Sequence, residues 1–295
     1  MRSCEKSCGE PYPDPMPELP EVETVVRTLQ PRCVGGTIVH VNLQRTDILN
    51  PTGTDLPALL LGRTITRIER RGKRIMFTLD SADHFYIHLG MSGRLTLESF
   101  DAPLQSHTHL ILEIAPTSDY SQQTFHMRFR DPRRFGGIWW IGQDTSVDDR
   151  MGPEPLSLRT KSLSDKLSKT RRAIKSALLD QTLIAGLGNI YVDESLFAAA
   201  IHPLTPADQL DAPQIAALNR AIKKTLKKAI DHRGSTLRDY RDANGESGGF
   251  QLRHKVYDRA DQPCRVCKAS IQRIVMGGRA THFCAVCQAI KAIDD

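Results

Sequence analysis

Pro17-Glu18-Leu19-Pro20-Glu21-Val22-Glu23 follows Met16 and leads into Val25, Val26 and Leu29, so apolar residues recur at intervals of three, four and seven from Val22. That period draws one apolar stripe along an α-helix. Proline is tolerated in a first helical turn, where its missing N–H would have no partner anyway. The helix therefore begins at Pro17 or Pro20 and is expected to stop before Pro31 and Gly35-Gly36. Upstream, residues 1–15 are polar, rich in Pro, Glu and Ser, and lack the apolar periodicity needed to join a core. Residues 1–16 are read as an extension absent from the functional protein, which would begin at Pro17. The distinction is chemical. A proline at the start of a chain carries a secondary amine with an ordinary pKa of about 8, partly unprotonated at neutral pH and able to attack carbon. Within a chain its nitrogen is an amide and cannot.

From residue 37 to 142 the pattern changes to strand. Alternating or β-branched runs occupy 37–43, 64–70, 74–79, 84–89, 93–98, 108–114, 124–130 and 137–141, separated by Gly, Pro and Asp. Eight short strands without an intervening helical stretch predict a two-sheet sandwich, which with the leading helix forms an N-terminal domain over 17–142. Gly142-Gln143-Asp144, the turn Gly152-Pro153-Glu154-Pro155 and a Ser-rich stretch mark a linker over 143–165. Helical spacing then returns at Ile174, Ala177 and Leu178, from Ile190 to Ala199, and at Ile215, Leu218, Ile222 and Leu226. Ala185-Gly186-Leu187-Gly188-Asn189 interrupts the series, with two glycines suited to a tight turn and Asn189 suited to capping the next helix. Gly234, Gly245, Gly248 and Gly249 predict a flexible loop over 234–250, which closes a helical domain spanning 166–250. The fold class is α+β and multidomain.

The formal net charge is +6, and the excess lies in the C-terminal half. Residues 159–179 hold seven Lys or Arg against one acid, 220–241 hold eight against two, and 251–291 repeat that eight against two. Three adjoining basic segments point to a surface that faces phosphates. No apolar run reaches membrane-spanning length and the N-terminus lacks the apolar core of a signal peptide, so a membrane role is excluded and a cytoplasmic location expected.

The array Cys264-x2-Cys267-x16-Cys284-x2-Cys287 closes the chain, in a module over 251–291. Two close thiolate pairs on a hairpin make a tetrahedral site of four sulfurs, suited to one structural zinc ion. With every position filled by protein, the ion would hold shape and leave water unactivated. Such a small module depends on its metal to fold. The turn Met276-Gly277-Gly278-Arg279-Ala280-Thr281 would present the Arg279 fork to a phosphate from a rigid tip.

The opening motif, the Gly186-Leu187-Gly188-Asn189-Ile190-Tyr191 segment followed by Glu194, and the cysteine hairpin together resemble the bacterial formamidopyrimidine-DNA glycosylases across residues 16–290. The resemblance implies a helix–two-turn–helix segment in the helical domain, a zinc finger, and double-stranded DNA with oxidised or abasic sites as the partner of a monomer bound to the bacterial nucleoid. It implies roles for individual residues as well. Pro17 would be the nucleophile, Glu18 the acid–base partner that protonates the opening sugar ring, and Glu21 an organiser of the N-terminal helix. Asn189, Lys73, Arg279 and, less centrally, His88 would contact phosphates, with glycines admitting the DNA backbone and a helix N-terminus offering N–H groups to an anion. Ile87-His88-Leu89-Gly90-Met91-Ser92-Gly93 and Arg130-Asp131-Pro132-Arg133-Arg134-Phe135-Gly136 would supply a wedge of Met91, Arg133 and Phe135, with Arg134 beside it, that fills the gap left by a flipped nucleotide. Thr236, Tyr240 and Phe250 would be candidates to touch the flipped base.

The implied reaction excises an oxidised purine through an iminium link to Pro17 and cuts the strand on both sides by successive elimination. Other readings remain open at the level of sequence: an endonuclease VIII-like enzyme for oxidised pyrimidines, a paired-carboxylate hydrolase using Glu18 and Glu21, and a non-catalytic zinc-finger protein that binds damaged DNA. Leu19 in the opening motif favours the purine enzymes over the endonuclease VIII group.

Overall fold

The computed structural model describes residues 16–116, 123–144 and 150–290. The expectation for residues 1–15 lies outside them. Helix α1 (Leu19–Cys33) has Glu18 at its N-cap and Pro20 in its first turn. It runs past Pro31, because a proline this close to the end forfeits little and Val34 N–H still reaches the Gln30 carbonyl at 3.1 Å.

The predicted strands form β1 (Thr37–Leu43), β3 (Ile65–Arg71), β4 (Arg74–Leu79), β5 (His84–His88), β6 (Arg94–Ser99), β7 (Thr108–Ala115), β8 (Phe125–Arg130) and β9 (Gly137–Gly142), with a two-residue β2 (Leu49–Asn50) and a one-turn α2 (Leu56–Leu60) between β1 and β3. Two sheets result, ordered β1-β7-β8-β6 and β2-β9-β5-β4-β3. Their inner faces and the Val22, Val25, Val26 and Leu29 stripe of α1 bury one core. Leu19, at the start of the same helix, packs into the second core instead. One helix therefore joins both halves of the molecule, and its N-terminal end lies where they meet.

The second core belongs to α3 (Thr160–Leu167), α4 (Ile174–Leu178), α5 (Asn189–Ala198) and α6 (Ala212–Asp231). Leu158 and Leu163, which the sequence places in a linker, are buried there. The Ser-rich composition hides α3, whose apolar anchors are only Leu163 and Leu167.

Residues 234–250 contain no strand and no helix before a short helical turn at Phe250. They are nonetheless tied down. Leu97 N–H donates to the Ala243 carbonyl (2.7 Å), Ala243 N–H to Thr28 Oγ1 (3.1 Å), and Arg94 pairs with Asp239 (3.3 Å), so the loop is docked on the sandwich. Its glycines fit tight packing: a Cβ on Gly248 would lie 2.3 Å from the Gly234 carbonyl oxygen.

The chain closes in the hairpin β10 (Gln272–Met276) and β11 (Arg279–Phe283). Gly277 and Gly278 form its turn with φ of +54° and +74°, the conformation a two-residue hairpin of this kind requires and glycine adopts without strain. No helix among the described residues is long and apolar enough to cross a membrane.

Candidate active site

The start of α1 is inserted into a cradle built by the helical domain. Glu18 is buried, and its carboxylate sits on the N-terminus of α5, accepting hydrogen bonds from Ile190 N–H (2.8 Å) and Tyr191 N–H (3.3 Å). Unpaired N–H groups and the helix dipole both favour a carboxylate at this position. Leu19 N–H donates to the Gly186 carbonyl at 3.0 Å. A Cβ on Gly188 would lie 2.4 Å from Glu18 Cδ, and one on Gly186 2.9 Å from Leu19 Cδ1. The two glycines thus make room for α1 rather than for the DNA backbone, and the N–H groups expected to take a phosphate are taken by Glu18. Asn189 occupies the first helical position and does not cap.

Glu21 lies one turn on, equally buried. It accepts from Glu18 N–H (2.9 Å), the Tyr191 hydroxyl (2.5 Å) and Ser235 N–H (2.6 Å). A Cβ on Gly234 would come within 2.6 Å of its Oε1. Burial, reinforced by the charge of Glu18, pushes the Glu21 carboxyl up to about 7. Burial also raises Glu18 above the usual carboxylate range, against the opposing pull of Lys73. Lys73 stands on the β3–β4 turn and is pushed down by burial, with Glu18 working in the other direction and Arg279 adding to the depression. Glu18, Glu21 and Lys73 of the N-terminal domain and Arg279 of the finger therefore share one electrostatic neighbourhood. The rest of the basic turn is committed internally: Arg70 pairs with Glu23 (2.9 Å) and Glu154 (2.7 Å), and Arg71 donates to the Gly152 carbonyl (2.9 Å).

Pro17 is buried and lines one cavity with Glu21, Met91, Ser235, Arg238 and Tyr240. Of the three wedge residues, Met91 reaches this cavity, while Arg133 lines a neighbouring one with Ser92, Arg238 and Asp239. Asp131, fully buried, accepts from Ser92 Oγ (2.5 Å) and Gly136 N–H (2.7 Å), and this holds the 131–136 turn against the Met91 turn. A Cβ on Gly90 would lie 2.4 Å from Gly136 N, so the two turns meet backbone to backbone. Phe135 is 57% exposed, with the Arg133 guanidinium 5.9 Å from its ring centre. Arg134, at φ +56°, turns aside to pair with Asp47 at 3.1 Å. His88 accepts from Gly90 N–H (3.2 Å), and burial together with Lys73 and Arg74 pushes it down to about 4, which leaves it a neutral hydrogen-bonding group.

Three expectations change. Phe250 is a core residue, packed near Tyr191, His232 and His254, while Tyr240, although its hydroxyl donates to the Glu21 carbonyl (3.2 Å), still lines the Pro17 cavity. Thr236 Oγ1 donates to the Tyr240 carbonyl (3.1 Å) and accepts from Gly248 N–H (2.9 Å), so it braces the loop. Lys175, counted in a basic segment, is buried and donates to Asp193 (2.7 Å) and the Ala280 carbonyl (2.9 Å).

Asn189 Nδ2 donates to the same Ala280 carbonyl at 2.8 Å, which ties α5 to β11 beside Arg279. Glu194 gathers Lys255, Val256 and Tyr257 N–H, each at 2.9 Å, and so fixes the entry to the finger. The Arg279 side chain is exposed at the hairpin tip. Tyr191, Ser235, Asp131 and Glu154 were not singled out by sequence. Tyr191, Asp131 and Glu154 lie inside stretches whose other residues drew attention, while Ser235 shows its importance only through Glu21 and His254, distant in the chain.

The sulfurs of Cys264, Cys267, Cys284 and Cys287 lie within 4.8 Å of one another, with Cys264–Cys287 at 3.9 Å and Cys267–Cys284 at 3.4 Å. A tetrahedron with zinc–sulfur bonds of about 2.3 Å has edges of about 3.8 Å. The four thiolates fit zinc, and they form a structural zinc site.

Residues 16–138 match the family described as formamidopyrimidine-DNA glycosylase N-terminal domain, 151–241 the H2TH domain of the same glycosylase, and 261–290 the zinc finger found in FPG and IleRS. The chain is 44% identical over 286 residues to a formamidopyrimidine-DNA glycosylase of Bacillus subtilis, covering 94% of this chain and all of the relative. It is 42% identical over 281 residues to one of Burkholderia mallei, covering 92% and 100%. Among solved structures, it is similar to wild-type Lactococcus lactis Fpg in complex with N7-benzyl-Fapy-dG containing DNA, with TM-score 0.84 and 38% identity over 93% of this chain and 100% of that one. Similarity to the same protein bound to abasic-site DNA gives TM-score 0.84 and 38% identity over 92% and 100%.

Proposed function

The chain belongs to the formamidopyrimidine-DNA glycosylase family, and from that premise we propose that its reaction runs through the Pro17 nitrogen, with Glu18 as the acid that opens the sugar. The protein is a bifunctional DNA glycosylase and AP lyase that acts on oxidised purines in double-stranded DNA and carries a structural zinc site. The observation that supports the residue assignment best is the buried Pro17, in a cavity with Met91, preceding two carboxylates that burial favours in their protonated forms.

The chemistry requires the peptide bond ahead of Pro17 to be absent, since only the amine has an available lone pair. That pair attacks C1′, and the glycosidic bond breaks with its electrons on the base, which takes a proton from solvent. Loss of the nitrogen's own proton restores its lone pair. Glu18 then gives its proton to O4′ as the C1′–O4′ bond opens and the nitrogen forms the iminium. The iminium withdraws electrons, a C2′ proton leaves, and the 3′ phosphate departs by β-elimination; a second elimination releases the 5′ phosphate. Lys73, Arg279 and Asn189 hold flanking phosphates in this reading, His88 contributes as a neutral donor or acceptor, and Met91, Arg133 and Phe135 fill the vacated stack. Glu194 and Glu21 are supporting residues. The closed zinc site activates no water. Residence in the cytoplasm, on nucleoid DNA, belongs to the same proposal.

Borohydride trapping on an 8-oxoguanine duplex tests it. A chain verified by mass to begin at Pro17 should give a covalent adduct whose DNA-bearing peptide starts at Pro17, and a chain verified to retain residues ahead of Pro17 should give almost none. An adduct on Lys73, or equal trapping by both chains, would overturn the assignment.

A further inference from the structure

A continuous row of buried hydrogen bonds leaves the active centre through Glu21. The Tyr191 hydroxyl bonds Glu21 Oε1 at 2.5 Å, lies 3.3 Å from Ser235 Oγ, and Ser235 Oγ lies 3.1 Å from His254 Nε2. All four residues are buried, His254 to 2% exposure. The row begins beside the nucleophile, because Glu21 Oε2 also receives Glu18 N–H, one peptide unit from Pro17, and Glu21 lines the Pro17 cavity. The Tyr257 backbone bonds the His254 ring and raises its affinity for a proton, as a carbonyl does to a ring N–H, which leaves Nε2 as the acceptor toward Ser235.

Such a row has two complete arrangements. With Glu21 ionised, Tyr191 donates to it. With Glu21 protonated, the carboxyl donates to the Tyr191 oxygen, Tyr191 donates to Ser235, and Ser235 donates to His254. The second arrangement leaves no buried hydroxyl without an acceptor only because His254 stands at the end. We propose that Glu21 takes up the proton released by the Pro17 nitrogen after it attacks C1′, and that His254, acting through Ser235 and Tyr191, is the positioning residue that makes this protonated state available. The inference rests on the Pro17 reading. The step balances: the nitrogen keeps the electron pair of its N–H bond, Glu21 gains the proton, and Glu18 remains free to serve O4′.

The groups facing Glu21 are Glu18 on its own helix, Lys73 from the sandwich, Tyr191 from α5 and Tyr240 from the loop. Those facing His254 are Tyr257, His282, Arg259 and Arg265, and burial first, then the Arg265 and Arg259 guanidiniums among these neighbours, push it down to about 4, so it stays neutral through the working range.

Single-turnover base excision by the chain beginning at Pro17, measured from pH 5 to 9, is the test. Activity that needs ionised Glu21 falls on the acid side. His254→Leu and Ser235→Ala each remove an acceptor from the protonated arrangement, so the acid limb should move down by about 0.5–1 pH unit. His254→Gln, which keeps an acceptor, should leave the limb within about 0.3 unit of the parent. Superimposable limbs in folded His254→Leu and Ser235→Ala, or a His254→Gln limb displaced as far as that of His254→Leu, would overturn the relay. If His254→Leu fails to fold, Ser235→Ala decides alone. Failure of the Pro17 reading would show separately, as absence of any borohydride adduct in the parent chain.

Discussion

The cradle around the start of α1 and the turns that present Arg133 and Arg279 are built by opposite means. In the cradle every functional atom is buried and fixed by direct contact: Glu18 on two N–H groups of α5, Glu21 on three donors, and glycines at 186, 188 and 234 where any side chain would collide. The presenting turns expose Phe135 and Arg279, leave Arg133 half-buried, and are fixed from behind, the wedge by the carboxylate of Asp131 and the hairpin tip by four cysteines. In the proposed reading, chemistry is placed by packing and DNA contact by anchoring. Perturbations should therefore separate: damage to an anchor abolishes binding with the cradle intact, and damage to the cradle abolishes chemistry with binding intact.

Removal of the metal should have the largest effect. Structural zinc contributes on the order of 10 kcal/mol to the folding of small modules, and the finger core holds few buried residues besides its cysteines. Cys284→Ser, or chelation, should unfold the hairpin and with it withdraw Arg279 and the Ala280 carbonyl that Asn189 and Lys175 share. Affinity for a duplex with an abasic-site analogue should fall at least about 100-fold, as the lost phosphate contacts imply. Circular dichroism of the sandwich should change little. Undiminished binding by metal-free protein would mean that the tip is not an anchor-dependent contact.

Gly188→Ala attacks the cradle alone. The added methyl would lie 2.4 Å from Glu18 Cδ, so the carboxylate must leave the N-terminus of α5. Loss of a positioned acid lowers rates by roughly 100- to 10,000-fold, while affinity for the abasic analogue should stay within about threefold, since no presenting turn is touched. A proportionate loss of both would show that chemistry and contact are not separable here.

Glu21→Gln should then reveal a trade between stability and function inside the cradle. The folded carboxyl holds its proton up to about pH 7 and the unfolded one releases it near 4.5, so between those values the folded state binds more protons and stability falls as pH rises. The shift corresponds to ~3 kcal/mol lost by pH 8. Glu21→Gln cannot titrate. Its melting temperature should decline less than the parent's between pH 5 and 8, and its activity should be low throughout. Parallel pH curves for the two proteins would show that Glu21 carries its charge in the folded state at no cost.

The same division explains what the sequence disclosed. Strand and helix patterns located the sandwich strands closely, because alternation and the Val22-Val25-Val26-Leu29 stripe are local signals of burial. The cysteine spacing disclosed the zinc site by itself. The 158–167 segment did not read as core, since two leucines amid serines and lysines set no period. Nor did the sequence reveal that Gly186 and Gly188 serve α1: a glycine announces that space is short, without saying which distant segment fills it. Ser235, His254 and Asp131 matter through partners 19 to 214 residues away, a relation no window along the chain contains.

Phe135→Ala should produce the smallest change and isolates the presenting function most cleanly. The ring is 57% exposed and the turn beneath it is held by Asp131 and Gly136, neither of which the truncation touches. Stability should remain within about 0.5 kcal/mol of the parent, as for surface positions generally. In the proposed reading the ring acts when DNA is present: with the nucleotide swung out, an apolar wedge offsets part of an unstacking cost of a few kcal/mol. Base extrusion, followed by a fluorescent base analogue next to the lesion, should slow about tenfold, while an abasic substrate with no base to extrude should be cleaved at close to the parent rate. Equal slowing on both substrates would place Phe135 in the chemistry and erase the boundary between the turn and the cradle.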